Sequence, residues 1–203
     1  MVRLSLTARF PHGSHSLVND EAPKFSEEKF QQVILYFLER INNVHLGRTK
    51  LLKLLYFVDF GHRQKYGRPV TGAVYRKRPH GPCPQDAEKL IKRMEMQGLV
   101  KQIKVPVGNY AQHRLITLGA KFDPNAFSGA EMRTLEMVAM EWEDVTAAQI
   151  EAATHAEAPW ASTQAGKEID YELAEYRTPI GAEPLDEVLA NSKALAGYLA
   201  ALA

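Results

Sequence analysis

A thiol close to an imidazole can form a nucleophile with its base, and His80, Cys83 and Asp86 lie close enough along the chain to raise that possibility. Cysteine–histidine pairs that do chemistry usually meet across a fold rather than within one turn. The preferred reading is therefore a structural turn carrying a buried thiol, and no catalytic residue is assigned. The seven histidines form no ligand set, since His12 and His15 sit in an irregular leading stretch and no cysteine or carboxylate cluster completes a site. No glycine-rich phosphate loop, G-x-S-x-G elbow or dinucleotide fingerprint is present. The expectation is a protein that is not an enzyme and takes no cofactor and no metal.

Cations are the other candidates. Arg76, Lys77 and Arg78 precede a Pro/Gly-rich turn, and Lys89, Lys92 and Arg93 recur on the helix after it, so these six could contact phosphates. A base-reading helix offers Arg, Asn or Gln to base edges, whereas this one is mostly Lys, Glu and apolar residues. Nucleic acid is accordingly the lesser reading. The cations belong to a wider asymmetry: residues 1–47 carry no net charge, 48–114 carry +11 and 115–203 carry −10. The two charged stretches either pack on each other and cancel, or one of them meets a partner of opposite sign.

The elements that would position these residues follow from periodicity. Residues 1–25 have no clear period and read as an N-terminal arm. From Ser26, a cap residue followed by Glu27 and Glu28, apolar residues at Phe30, Val33, Ile34, Phe37, Leu38 and Ile41 predict an amphipathic helix. Thr49 to Tyr66 is apolar nearly all round and predicts a central helix, closed by Gly67 and Pro69. Asp59 within it reads as an i, i+4 partner of Arg63 in preference to a partner-facing acid. Residues 70–77 predict a short strand, followed by a turn on Pro79, Gly81, Pro82 and Pro84. Pro84 then opens a helix to about Gln97. Leu99 to Val105 and Tyr110 to Leu118, joined through Gly108 and Asn109, predict a β-hairpin. Capping boxes at Ser128/Glu131 and Thr146/Gln149 start helices over 129–143 and 147–153, and a shorter helix runs from Pro159 to Gly166. A last amphipathic, alanine-rich helix starts near Pro184, and its Leu199–Ala203 end reads as a frayed terminus rather than a protease tag.

The predicted fold class is mainly α (α+β): a compact multi-helix domain with a short strand and a β-hairpin, whose middle segment follows a winged-helix order. With 203 residues, 45% of them hydrophobic, one core is expected rather than two large domains. The single cysteine suits a reducing compartment, and the expected location is the cytoplasm. No apolar run approaches the roughly 18 residues of a membrane span, so no membrane partner is expected.

Two blocks carry a resemblance. Gly47 to Phe60 reads G-R-T-K-L-L-K-L-L-Y-F-V-D-F, continues through Y-G-R-P-V-T-G-A-V-Y at Tyr66 to Tyr75, and reaches H-G-P-C-P at His80 to Pro84. T-H-A-E-A-P-W at Thr154 to Trp160 follows, then G-K-E-I-D-Y-E at Gly166 to Glu172. In order and spacing these blocks resemble the SocA-like antitoxin family, or Panacea domain, of phage-associated GepA-like proteins. The resemblance divides the chain into an arm (1–25), the family domain (26–176) and a C-terminal linker with its alanine-rich helix (177–203). It implies an antitoxin of a bacterial or phage toxin–antitoxin pair that binds a cognate protein toxin. Within such a family the antitoxin either neutralises directly or acts as an adaptor delivering the toxin to an ATP-dependent protease. Lys53, Leu54, Leu55, Tyr56, Asp59, Gly81, Pro82, Thr154, His155 and Trp160 match the family pattern, with structural or partner-binding roles. His155 and Trp160 are expected to pack where the acidic third meets the core. The alternative is a winged-helix-like DNA-binding regulator, and the two readings coincide if the antitoxin represses its own operon.

Overall fold

The computed structural model describes residues 24–178. Ser26 caps the first helix (α1, Glu27–Arg40) by accepting from the Lys29 amide, and Glu27 and Glu28 favour its positive end. The second helix (α2, Arg48–Tyr66) is buried without a break from Lys50 to His62 and ends on Gly67, whose φ of 78° is the left-handed cap the sequence predicts. A helix with no solvent face must be surrounded, because each fully buried large side chain contributes about 1.5–3 kcal/mol only if neighbours exclude water from it.

The expected strand at 70–77 is shorter and later, and the expected turn is a second strand. β1 (Tyr75–Arg78) pairs antiparallel with β2 (Gly81–Pro84) around Pro79 and His80, with Arg78 opposite Gly81. Residues 70–74 are drawn off instead by the core, Thr71 hydrogen bonding to the α2 interior. The outer edge of β1 is covered by residues 167–169, through bonds from the Lys77 amide to the Lys167 carbonyl and from the Ile169 amide to the Tyr75 carbonyl. Pro84 lies in β2 rather than opening the next helix, α3 (Ala87–Met96), which starts after Asp86.

The predicted hairpin is present as β3 (Val100–Val107) and β4 (Tyr110–Thr117), turning on Gly108 and Asn109. Both capping boxes form, at the starts of α4 (Gly129–Trp142) and α5 (Ala147–Ala156). α5 runs one turn beyond its predicted end at residue 153. α6 (Ala158–Ser162) is a single turn that stops short of Gly166, because Thr163 is already extended. A 3-10 segment at Tyr171–Tyr176 completes the described chain.

α1, α4, α5 and β2 pack around α2. Trp142 stacks on Phe57 at 4.5 Å between centroids and Tyr171 on Phe60 at 4.6 Å, fastening α4 and the 3-10 segment to the central helix. Lys50 is buried at the α4–α5 junction and donates to the carbonyls of Glu143 (2.8 Å) and Val145 (2.7 Å). Those carbonyls lie at the negative end of α4, so the ammonium both satisfies them and complements the helix dipole. The fold is mainly α (α+β), with two separate antiparallel hairpins. No helix among the described residues is long and apolar enough to cross a membrane. The first 23 residues of the chain, the helix predicted from Pro184 and the Leu199–Ala203 end lie outside the described residues.

Candidate functional site

The two sequence blocks meet where α2, β2 and α5 touch. Lys53, on α2, is 3% exposed and donates to the Pro82 carbonyl at 2.9 Å. Burial lowers its pKa to about 8, against the opposing pull of Cys83 and Glu151. Gly81 sits at φ +89°, and a Cβ placed there would lie 2.5 Å from the Thr154 hydroxyl and 3.0 Å from Lys53 Cε. Glycine is required at this position on both counts. Thr154, fully buried, donates its hydroxyl to the Glu151 carbonyl at 2.7 Å. Lys53, Gly81, Pro82 and Thr154 are thus a packed junction between helices and hairpin.

Leu54, Leu55 and Tyr56 are core residues with at most traces of exposure. Asp59 corrects both expectations placed on it. It is fully buried, pairs with no cation among the described residues, and accepts from the Thr71 amide (2.6 Å), the Thr71 hydroxyl (2.5 Å) and the Tyr75 hydroxyl (2.8 Å). Arg63 bonds instead to Glu172 and to the Gly67 carbonyl. The side chain of Asp59 is turned into the core by the loop that crosses it, a contact no helical spacing encodes. Burial raises its pKa, although the Thr71 and Tyr75 hydrogen bonds oppose that shift.

His155 and Trp160 stack at 4.0 Å and 11°, and the Lys77 ammonium sits 4.0 Å from the Trp160 ring centroid. This stack joins α5 and α6 to β1.

The remaining candidates are dispersed. His80 is exposed in the hairpin turn and lies 3.1 Å from Glu151, while the half-buried Cys83 thiol faces the Pro84 carbonyl at 3.6 Å. Burial raises the Cys83 pKa more than Lys53 lowers it, which disfavours the thiolate a nucleophile needs. Among the described residues no group of three His, Cys, Asp or Glu side chains is arranged to hold a metal ion. Of the six cations proposed for phosphate, four have intramolecular partners. Arg76 bonds Gln85 and the Gly166 carbonyl, Lys77 bonds the Ala161 carbonyl, Lys89 pairs with Asp86, and Arg93 with Glu27.

Two features escaped the sequence reading. Arg177 and Glu157 form a buried ion pair, with the guanidinium also over the rings of Tyr56 and Phe57. Glu157 lies inside the T-H-A-E-A-P-W block, which was the available signal. Its partner, twenty positions on, had none. His62 is fully buried, with Nδ1 at 2.8 Å from the Thr134 hydroxyl, and a histidine in a helix apolar nearly all round was the clue.

The family model for the antitoxin SocA-like, Panacea domain matches residues 51–161, from the second turn of α2 to α6, and so takes in every motif residue of the junction. No curated protein and no solved structure matches the chain. With that match covering more than half of its length, the chain belongs to the antitoxin SocA-like, Panacea domain family.

Proposed function

We propose that this protein is the antitoxin of a bacterial or phage toxin–antitoxin pair, and that it acts in the cytoplasm by binding and neutralising a cognate protein toxin. The observation that carries the reading is the family match over 51–161. It is supported by where the motif residues lie: Lys53, Asp59, Gly81 and Thr154 are buried in hydrogen bonds and packing of their own. A scaffold built this way leaves recognition to the surface, where a few anchors carry most of the binding energy. We place the variable partner-choosing parts in the 1–25 arm and the 177–203 segment, outside the proposed domain.

The test is genetic and biochemical. The adjacent open reading frame expressed alone should arrest growth. Co-expression of this chain should restore growth, and the two proteins should co-elute at fixed stoichiometry. A harmless neighbour that does not co-elute overturns the reading. Delivery to an ATP-dependent protease is separated from direct inhibition by the toxin's half-life, which falls on co-expression only if the chain is an adaptor. The DNA-binding alternative draws on Arg78 and Lys92, which bond no carboxylate among the described residues. It predicts salt-sensitive binding to the upstream promoter, weakened by Arg78→Ala with Lys92→Ala.

A further inference from the structure

The side chain of Arg177 is 4% exposed, and three buried residues receive it. Its guanidinium carbon lies 5.7 Å from the ring centroid of Tyr56 and 5.4 Å from that of Phe57, both on α2. Glu157, between α5 and α6, accepts from Nε and, at 3.3 Å, from Nη2. Each ring is fixed from elsewhere, Phe57 by the stacked Trp142 of α4 and Tyr56 by Phe60 and Tyr75. All of these receiving and supporting groups lie within residues 51–161, and the arginine alone comes from beyond.

Aromatic faces beside a single buried carboxylate select for a guanidinium. That flat, weakly hydrated cation lies on rings and turns a fork of N–H groups to the carboxylate, whereas an ammonium is compact and strongly hydrated. Glu157 pairs with no cation but Arg177 among the described residues, so its buried charge depends on that one partner. Arg177 also leaves part of the pocket unused. Its Nη1 and the Tyr56 hydroxyl are buried without a hydrogen-bond partner among the described residues. The backbone of residue 177 is held, its amide bonding the Ala174 carbonyl and its carbonyl accepting from Gln64 at 2.7 Å, which limits how far the head group can turn. A guanidinium without that tether can donate to the carboxylate and the hydroxyl together.

We infer that Tyr56, Phe57 and Glu157 form a receptor for guanidinium groups, and that the chain's own Arg177 is its resident ligand. The ligand class is the arginine side chain and its small alkylguanidinium analogues. Tyr176 and Thr178 on either side of Arg177 are exposed, so the arginine stem runs inward from the surface and marks the way in for a free ligand.

Chemical rescue of the full chain tests the receptor. Arg177→Ala leaves Glu157 buried without its countercharge and should lower the urea midpoint. Ethylguanidinium supplies the atoms that this substitution removes. It should raise the midpoint of the variant with a Kd on the order of 1–10 mM, as befits a ligand of a few heavy atoms. Propylammonium at the same concentrations should not, and wild type should respond to neither. If Arg177→Ala is unfolded by itself, the folded fraction recovered on adding ethylguanidinium is read instead. No rise and no recovery would mean that the pocket holds arginine only through its tether, which overturns the receptor. An equal response to propylammonium overturns the guanidinium class, and an equal response of wild type places the ligand elsewhere on the molecule.

Discussion

The carboxylate of Asp59 takes three hydrogen bonds inside the protein and meets no cation among the described residues, so its worth lies in what it satisfies. Removing it leaves the Thr71 amide and hydroxyl and the Tyr75 hydroxyl buried without an acceptor. Asp59→Leu should cost about 2–4 kcal/mol in urea unfolding, while Asp59→Asn, which keeps one carbonyl acceptor, should cost distinctly less. Equal losses in the two variants would contradict the hydrogen-bond account. His62 makes a second residue-scale prediction. The Thr134 hydroxyl donates to the Ala130 carbonyl, so it accepts from His62 Nδ1–H, and the unprotonated Nε2 is buried without a partner. Burial lowers the histidine to about 4. As pH falls from about 6.5 towards 4 the unfolded chain takes up a proton that the folded chain refuses, so stability declines across that window. Chemical denaturation of wild type and His62→Leu at several pH values should show a shallower decline in the variant over that range.

At the scale of elements, the hairpin β1–β2 is locked to α5 at a contact that admits no side chain. Gly81→Ala would place a methyl group against the Thr154 hydroxyl at a φ of +89°. We expect a loss of about 2–4 kcal/mol, composed of backbone strain and the clash. Adding Thr154→Ala should recover the clash part, about 1 kcal/mol, and leave the strain, a non-additivity that a double-mutant cycle measures directly. Strict additivity would mean that the two residues do not press on one another. The capping boxes on α4 and α5 were readable in the sequence because both partners lie within four residues. The β1–β2 hairpin was missed because three of the four positions of β2 are prolines or glycine, which read as a turn. Here the sheet edge is closed from outside by residues 167–169.

For the whole molecule, the described chain closes on itself through Arg177. Its pairing with Glu157 over Tyr56 and Phe57 brings the last described turn back to the central helix. A fragment of residues 24–178 should therefore unfold in one cooperative transition, close to the full chain in midpoint. A biphasic melt, or a midpoint many degrees lower, would show that residues outside the fragment complete the core. If the fragment also neutralises the toxin, partner choice resides in the domain. If it folds but fails to neutralise, the terminal segments carry it.

The sequence by itself determined α1, α2, α4 and α5, their caps at Ser26, Gly67, Ser128 and Thr146, and the β3–β4 hairpin, because periodicity, capping pairs and a Gly-Asn turn act over a few residues. The motif blocks in Gly47–Pro84 and Thr154–Glu172 were likewise enough to place the chain in its family. Only the tertiary structure decided that Asp59 faces Thr71 and Tyr75 rather than Arg63, that Lys53 ends on the Pro82 carbonyl, and that Glu157 finds Arg177. Each of these is a buried polar group. Such groups must find a partner wherever the packed chain provides one, and that partner is chosen by proximity in space, which no local pattern records.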